Sequence, residues 1–433
     1  MKRRKLLSIL EKTYIGILLV IFGGIVLHAP LSVWLGTFWP NYALLIKSWK
    51  EILMLVAGLV LLLILYKTKR FKILKDPIII AVAAYAVLHI VLLSINSQGF
   101  NASLAGLAID LRYVLFFSLV YLAMCLYPNY RKVFIQVGVA GAFVVSTFAL
   151  LQVFLLPHDI LKYIGYNVDT IKPYLTVDQN HAFIRINSTL RGPNSLGAYA
   201  GMVLTLITAF IAKRKTLKNN WSKFLLLVIF IGSAVALWVS YSRSAIVATI
   251  IAITIVLFVT ILRKLSTKMW ITIVMVFVVL VVGISTFSSN SFISNVLLHE
   301  NPTNIDSISS NEGHVDSLKD GITRLIIQPL GGGIGSTGSA SLFTKNPLII
   351  ENQYLFVAHE VGWLGLLLFL YILSFVLYRL WNLRRDWLAL GVFASGIGIA
   401  LICLLLPILV DDTVAVIWWG FAAIALFPKK ERL

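Results

Sequence analysis

Long apolar runs separated by short polar stretches dominate the chain. A helix that crosses a bilayer needs about 20 mostly apolar residues, and twelve runs come near or exceed that length. They cover residues 14–36, 42–66, 77–95, 104–126, 133–156, 194–212, 224–240, 244–262, 269–288, 354–378, 388–409 and 413–427. The pattern predicts an all-α polytopic membrane protein with about twelve transmembrane helices, in which residues 1–433 form a single integral membrane domain. Because only SYSRS interrupts residues 224–262, a count that differs by one pair of helices is the alternative.

Two polar stretches are much longer than the others, residues 157–193 and residues 289–352. Within the second stretch, apolar residues recur at helical spacing, at Val315, Leu318, Ile322 and Leu325. This spacing predicts an amphipathic helix that lies on the membrane surface. Pro329 and the glycines that follow it are expected to end this helix.

The basic residues indicate which side of the membrane each loop occupies. If the N-terminus is inside, most of the 37 lysines and arginines fall in the inner loops or at the termini. This positive-inside pattern places both termini in the cytoplasm and both long loops outside it. The larger loop then lies between spans 9 and 10.

Composition excludes several classes of protein. Hydrophobic residues make up 59% of the chain and charged residues 13%, against about 25% charged in a soluble domain. The net charge of +19 does not indicate nucleic-acid binding, because the basic residues form short clusters between apolar runs. Cys125 and Cys403 lie within apolar runs and indicate neither a disulfide framework nor a zinc site. The basic N-terminus precedes a run without a cleavage motif, which predicts a retained first helix.

The inner loops are too short for a nucleotide-binding domain, and no P-loop or dinucleotide fingerprint is present. Chemistry is therefore expected on the outer face, where soluble nucleotides are absent. A transferase there needs a donor that is activated and carried through the membrane, and a lipid-linked diphosphate meets this need. No cofactor or metal is expected, since the adjacent pair Asp411 and Asp412 is only a weak metal motif.

Cations at the outer ends of the predicted spans are the first candidate site residues, because charge within a membrane costs several kcal/mol, about 2.5–3.5 at the helix centre. Arg191 opens RGPNSLGAY, which also holds Asn194, Arg243 lies in the turn SYSRS, and Arg112 lies about two turns into the fourth span. Guanidinium groups can grip diphosphate oxygens and stabilise the charge of a leaving diphosphate. Lys50 and Asn194 are further substrate-binding candidates. The structural alternative for all of them is interfacial anchoring or a local ion pair, and it weighs most for Lys50 and its neighbours.

A second group of candidates lies in and after the larger loop. His314 is in the first turn of the predicted amphipathic helix, and a neutral histidine could take a proton from a sugar hydroxyl. Glu351 is the alternative base, and Asn352 beside it is a substrate-binding candidate. Either Glu351 or Glu360 could be a base or bind sugar hydroxyls, but Glu360 needs a partner within its apolar run. The run GGGIGSTG could cradle phosphate with its backbone N–H groups, although it follows no predicted strand.

Four motifs give the chain a resemblance to a known family. They are RGPNSLGAY (191–199), SYSRSAIVA (240–248), GHVDSLKDGITRLIIQPLGGGIG (313–335) and ENQYLFVAHEVGWLGLLLF (351–369). In this order, with a large outer loop between the last two spans of the block, the chain resembles the O-antigen ligase and O-antigen polymerase superfamily of bacterial membrane glycosyltransferases.

The resemblance implies a GT-C-like helical fold in the cytoplasmic membrane and a metal-independent glycosyltransferase. The expected partners are an undecaprenyl-diphosphate-linked glycan donor, a glycan acceptor and the lipid bilayer. Arg191 and Arg243 stand at the positions of arginines thought to hold the diphosphate. Ligases of the family carry a histidine–asparagine pair where this chain has Glu351 and Asn352, and His314 matches a histidine of polymerase-like members. The resemblance therefore favours a polymerase and leaves the base open between His314 and Glu351.

A lipid-linked glycan flippase or another twelve-span transporter is the alternative from a different class. A transporter built from two related halves would have broken helices near the membrane middle in both of them, whereas the polar groups here cluster towards the outer side. An inactive relative that only regulates is a third reading.

Overall fold

The computed structural model describes residues 2–177, 180–213, 219–261 and 310–427, with side chains omitted at 2–4 and 310–315. Its α-helices are α1 Lys2–Gly24, α2 His28–Phe38, α3 Ala43–Lys47, α4 Trp49–Thr68, α5 Pro77–Leu93, α6 Phe100–Leu126, α7 Arg131–Phe154, α8 Pro193–Lys213, α9 Asn220–Val239, α10 Arg243–Thr260, α11 Ser310–Ile327, α12 Gly338–Ser341, α13 Gln353–Asn382, α14 Trp387–Ile402 and α15 Asp412–Ala425. Short 3-10 helices cover Ile25–Leu27, Pro40–Tyr42, Phe71–Lys75, Pro128–Tyr130, Ile160–Ile164 and Ile408–Val410.

The helices agree with the predicted polytopic arrangement. Eight helices in the described ranges are long and apolar enough to cross a membrane, and α5, α14 and α15 are shorter apolar helices. Each of these eleven segments overlaps one predicted span. The predicted span at 269–288 lies outside the described residues, so the total of twelve stays a prediction.

The centre of the bundle is formed by α6, α8 and α15. Trp418 and Trp419 of α15 are fully buried, and Trp419 packs on Tyr113 and Phe117 of α6 with ring centroids 5.7 and 5.4 Å apart. By contrast, only 22% of the most apolar 18-residue stretch of α9 is buried inside the protein. The apolar residues on its outer face are expected to contact lipid, because lipid tails are as apolar as these side chains and exert no hydrophobic force that would bury them.

Side-chain ion pairs join distant elements at both ends of the bundle. At one end, Arg379 and Tyr121 bind Asp76 at 3.0 and 2.6 Å, and Arg131 binds Asp386 at 2.9 Å. The other end holds the residues described in the next subsection. This separation agrees with the predicted alternation of the loops, since all five of these residues lie in or beside segments assigned to the inner side.

The loop at 157–193 contains an antiparallel hairpin that the all-α prediction did not include. Strand β1 (Tyr174–Val177) pairs with β2 (Asn180–Ile186), with a bulge between Thr176 and Val177. This strand pair lies in the loop and leaves the membrane part helical.

The predicted surface helix is present as α11, and it ends at Ile327, just before Pro329. The chain then folds inward beside α13, whose backbone breaks at Gly362 with φ 67° and ψ −169°. Trp363 N–H donates to Pro329 O at 3.0 Å and Gly332 N–H donates to His359 O at 2.6 Å. The glycine-rich segment therefore packs into the bundle at the break in α13.

Candidate functional site

Four helices, α2, α4, α6 and α15, bring an ionic cluster together at the end of the bundle opposite Asp76. Asp412, the first residue of α15, pairs with the guanidinium of Arg112 from α6. Its Oδ2 lies 2.8 Å from His28 Nε2 and 3.4 Å from Lys50 Nζ. Arg112 and Lys50 are 6% and 2% exposed. The position of Asp412 at a helix N-terminus also favours its negative charge.

Glu51 supplies a second acid to the same cluster. Its Oε1 lies 3.2 Å from Lys50 Nζ and 3.9 Å from Arg112 Nη1. Arg112 also donates to Val410 O. The two predicted binding residues Arg112 and Lys50 are therefore brought together, but each is compensated by an acid from the chain itself. This is the local ion-pair alternative considered for them.

The proton on His28 is fixed by its neighbours. The indole Nε1 of Trp49 can only donate, and it lies 2.9 Å from His28 Nδ1. Nδ1 must then accept, so the proton of the neutral ring is on Nε2 and faces Asp412. Sequence reasoning missed His28, although an ionisable residue within the predicted span 14–36 was a usable signal.

Arg191 and Lys47 differ from the buried cluster because both are exposed. Arg191 lies near enough to both Lys47 and Arg112 for their like charges to repel each other. Neither Arg191 nor Lys47 forms an ion pair with any residue in the described ranges. Positive charge that no acid of the described residues neutralises therefore collects beside the buried cluster, where an anion can reach it.

Arg243 and Asn194 lie at the same end of the bundle. Arg243 begins α10, directly after a turn that packs on α8, where a Cβ on Gly197 would come within 2.7 Å of Ser240 Oγ. Arg185 of β2 ties these parts together by donating to Asn194 Oδ1 at 2.6 Å and to Ser240 O at 2.8 Å. The Asn194 oxygen is thus held by a residue that sequence reasoning missed, because nothing in the local pattern marks Arg185.

Asn352 serves the backbone in this structure. Its Oδ1 accepts from Tyr354 N–H and Leu355 N–H at 2.9 and 3.0 Å, which caps α13, and its Nδ2 donates to Leu404 O at 2.7 Å. Neighbouring Glu351 donates its backbone N–H to Ser317 Oγ at 3.2 Å.

Glu351 therefore lies beside α11, the helix that carries His314. Ser317 follows His314 by three residues, so the two share one face of α11. The side chain of His314 lies outside the described part of the structure. The choice of base between His314 and Glu351 stays open.

The glycine-rich run holds a carboxylate of the chain itself. Glu360 is 1% exposed, and it accepts from Thr337 N–H at 2.9 Å and from Gly335 N–H. The expectation that these N–H groups cradle phosphate is therefore wrong at Gly335 and Thr337, because Glu360 occupies both donors. The N–H groups of the loop therefore supply the hydrogen bonds that the buried carboxylate of Glu360 requires.

Asp411 is also engaged within the chain. Its Oδ1 caps α15 by accepting from Thr413 and Val414 N–H, both at 3.1 Å, and its Oδ2 accepts from Ser195 Oγ at 2.8 Å. Within the described ranges, no group of three or more histidine, cysteine, aspartate or glutamate residues is placed to hold a metal ion.

Comparison with known families gives one match. Residues 227–370 match the family described as O-antigen ligase. The matched range begins in α9 and ends in α13, and it includes Arg243, the larger loop and Glu360. No curated protein matches the chain significantly.

Proposed function

We propose, from the match of residues 227–370 to the O-antigen ligase family, that this chain belongs to the O-antigen ligase and polymerase superfamily and transfers glycan from undecaprenyl diphosphate onto a glycan acceptor. The reaction would occur at the outer face of the cytoplasmic membrane and would extend a surface polysaccharide. In this proposal the chain crosses the membrane twelve times with both termini in the cytoplasm, and residues 157–193 and 289–352 are extracytoplasmic.

The observation that carries the proposal is the exposed cationic pair Arg191 and Lys47. A diphosphate brings about two negative charges, and guanidinium recognises phosphate oxygens by paired, charge-assisted hydrogen bonds. Arg112 and Lys50 lie behind this pair with their charges compensated, so they hold the helices in register at the site. Arg243 begins a helix that packs beside the start of α8, and is the second arginine proposed to meet the diphosphate.

The chemistry needs one bond exchange. A hydroxyl oxygen of the acceptor attacks the anomeric carbon of the donor sugar, and the bond from that carbon to the diphosphate oxygen breaks. The base, His314 or Glu351, takes the hydroxyl proton, and the bond's electron pair leaves with the lipid diphosphate. Arg191 and Arg243 stabilise the charge that builds on the leaving group. A single displacement inverts the anomeric centre.

A polymerase is favoured over a ligase because Glu351 stands where ligases of the family carry histidine. The distinction lies in the product, since a polymerase returns a longer lipid-linked chain as a new substrate and a ligase transfers once.

The test is reconstitution of the purified protein in liposomes with undecaprenyl-diphosphate-linked oligosaccharide, with product length read on a gel. Wild type should give a ladder of products, and Arg191→Ala should lower kcat/KM about a hundredfold, since a charge-assisted contact contributes roughly 1.5–3 kcal/mol. Lys47→Ala should have a smaller effect in the same direction, because lysine binds phosphate as a single point charge. Arg70→Ala is the matched control, since Arg70 is exposed in the loop before α5, assigned to the inner side.

Each result has a clear meaning. A single transferred unit would make the protein a ligase. Glycan that changes leaflet without any transfer would establish a flippase instead. Full activity of Arg191→Ala would show that the exposed cationic pair does not bind the donor.

A further inference from the structure

The glycine-rich loop that leads from α11 to α12 is built to fold into the bundle. Gly331, Gly333, Gly335 and Gly338 have φ of 82°, 103°, 84° and 65°, which a residue with a side chain adopts only at a cost. Between and after them, Ile334, Thr337 and Ser341 are fully buried. The loop is therefore a packed part of the structure at the break in α13.

Glu360 holds this loop from one side. It lies in α13, two residues before the break at Gly362, and its two carboxylate oxygens accept from Gly335 N–H and from Thr337 N–H. A buried carboxylate within a membrane helix is costly unless hydrogen bonds compensate it. The loop and Glu360 thus satisfy each other, since the backbone donors would otherwise be buried without acceptors.

Helix α6 closes on the loop from the other side. A Cβ on Gly106 would lie 2.7 Å from Gly335 Cα and 2.9 Å from Ile334 Cγ2. The loop therefore fits only because residue 106 has no side chain. Gln98, two residues before α6, donates a hydrogen bond to Gly332 O at 2.7 Å.

The anchored loop reaches the exposed cationic pair. Ser339 follows Thr337 by two residues, and its Oγ accepts from Arg191 Nη2 at 3.2 Å. Displacing the loop would remove this contact and free the exposed arginine side chain to sample other rotamers.

We propose that Glu360 is a positioning residue for the donor site. Its carboxylate fixes the glycine-rich loop, and the loop in turn orients the guanidinium of Arg191 through Ser339. This inference deepens the proposed function and rests on it for the identity of the ligand, whereas the anchoring of the loop can be tested without any substrate.

The first experiment measures the loop directly. Ala340, which is 1% exposed, is replaced by cysteine in a chain whose Cys125 and Cys403 are changed to alanine, and labelling by a membrane-impermeant maleimide is timed in liposomes. The maleimide should react slowly with the introduced cysteine when Glu360 is present. Glu360→Gln should speed labelling about tenfold or more, because an amide offers one acceptor oxygen to two buried donors.

A second variant is expected to displace the loop while leaving Glu360 unchanged. Gly106→Ala should speed labelling in the same way by pushing Gly335 away from α6. Gly58→Ala is the matched control, because a Cβ on Gly58 in α4 meets no atom within 4 Å. Its labelling rate should equal that of the parent. Glu360→Asp keeps a carboxylate and should restore part of the protection.

The second experiment links the loop to the donor site. Glu360→Gln should raise KM for the lipid-linked oligosaccharide about tenfold, and this increase should vanish in an Arg191→Ala background, since both changes then remove the same interaction. A merely structural role of Glu360 would lower the amount of active protein and leave KM unchanged.

The outcomes separate the two claims. Slow labelling in both Glu360→Gln and Gly106→Ala would overturn the anchoring of the loop. Fast labelling with unchanged KM would overturn its link to Arg191. Full activity of Arg191→Ala would refute the donor site itself, and the labelling result would still decide whether Glu360 anchors the loop.

Discussion

Removing the charge of Asp412 should cost the protein more stability than any exposed ion pair could. In wild type, Arg112, Lys50 and His28 all face this carboxylate, and the side chains of Lys50 and Arg112 are only 3% and 6% exposed. In Asp412→Asn, the amide can turn its oxygen towards one of Arg112 and His28, but its NH₂ group then faces the other. A donor meets a donor in either orientation.

The size of the stability loss depends on which cation loses its partner. Breaking a buried ion pair from one side costs about 3–5 kcal/mol. Glu51 still lies 3.2 Å from Lys50, so Lys50 keeps a near acid, whereas Arg112 keeps only the longer 3.9 Å contact. The loss should therefore fall at the lower end, about 3 kcal/mol. This is roughly a hundredfold change in the folding equilibrium.

The assay is the temperature at which half of the purified protein stops eluting as a monodisperse species after heating in detergent. The matched control is Asp320→Asn on α11, where Asp320 binds Arg324 at 2.7 Å on an exposed helix face. Such a pair contributes about 0.2–1 kcal/mol. Equal, small losses of stability in both variants would show that the ionic cluster is hydrated, and the reasoning from burial would fail.

Two further predictions concern the other end of the bundle and the helix packing behind the site. Burial alone would raise the pKa of Asp76, but hydrogen bonds from Tyr121 and Ile78 N–H and the charge of Arg379 lower it on balance. The contribution of Asp76 to stability is therefore present above the unfolded pKa of about 4, and it is lost as pH falls through the folded pKa. Asp76→Asn should therefore melt earlier than wild type at pH 7 and converge with it in acid, and a difference that stays constant with pH would contradict this. Gly201→Ala should cost about 1–3 kcal/mol because the new Cβ collides with Thr249 Oγ1 of α10. Adding Thr249→Ala should recover most of that loss in the same melting assay, and no recovery would mean that α8 and α10 are not packed as described.

The hydrophobic pattern predicted the helices well because the membrane imposes a strict requirement on length and polarity. A spanning helix must satisfy its backbone internally and keep charges at its ends. This requirement places the boundaries of α6, α8 and α13 close to the predicted ones. The same requirement drew attention to Arg112 and Lys50, since a charge at such positions needs a partner.

Which partner each charge has could not be predicted from the sequence. Asp412 is 300 positions after Arg112, and periodicity reports only on neighbours within a few turns. The pair Asp411 and Asp412 was considered as a metal site, yet the structure uses one acid as a helix cap and the other as a counter-ion. Arg185 and the hairpin that carries it were missed for the same reason, because their contacts are set by the tertiary arrangement.

The glycine-rich run shows why a motif must be read with its partners. Positive φ and clustered N–H groups are features of anion-binding loops, and the segment GGGIGSTG has both in the structure. Here the anion is Glu360, so the donors at Gly335 and Thr337 are already occupied.

In the proposed function, the occupied loop leaves recognition of the lipid diphosphate to side chains. Among the cations near it, Arg112 and Lys50 have acids within 4 Å, and a diphosphate would have to compete with those acids in a buried setting. Arg191 and Lys47 carry no such competitor in the described ranges and are reached from outside. In the proposed function, the compensated charges hold the helices together and the uncompensated charges of Arg191 and Lys47 attract the donor diphosphate. We therefore assign the proposed donor site to the N-terminal end of α8 because of this difference in charge compensation, more than because of the number of basic residues.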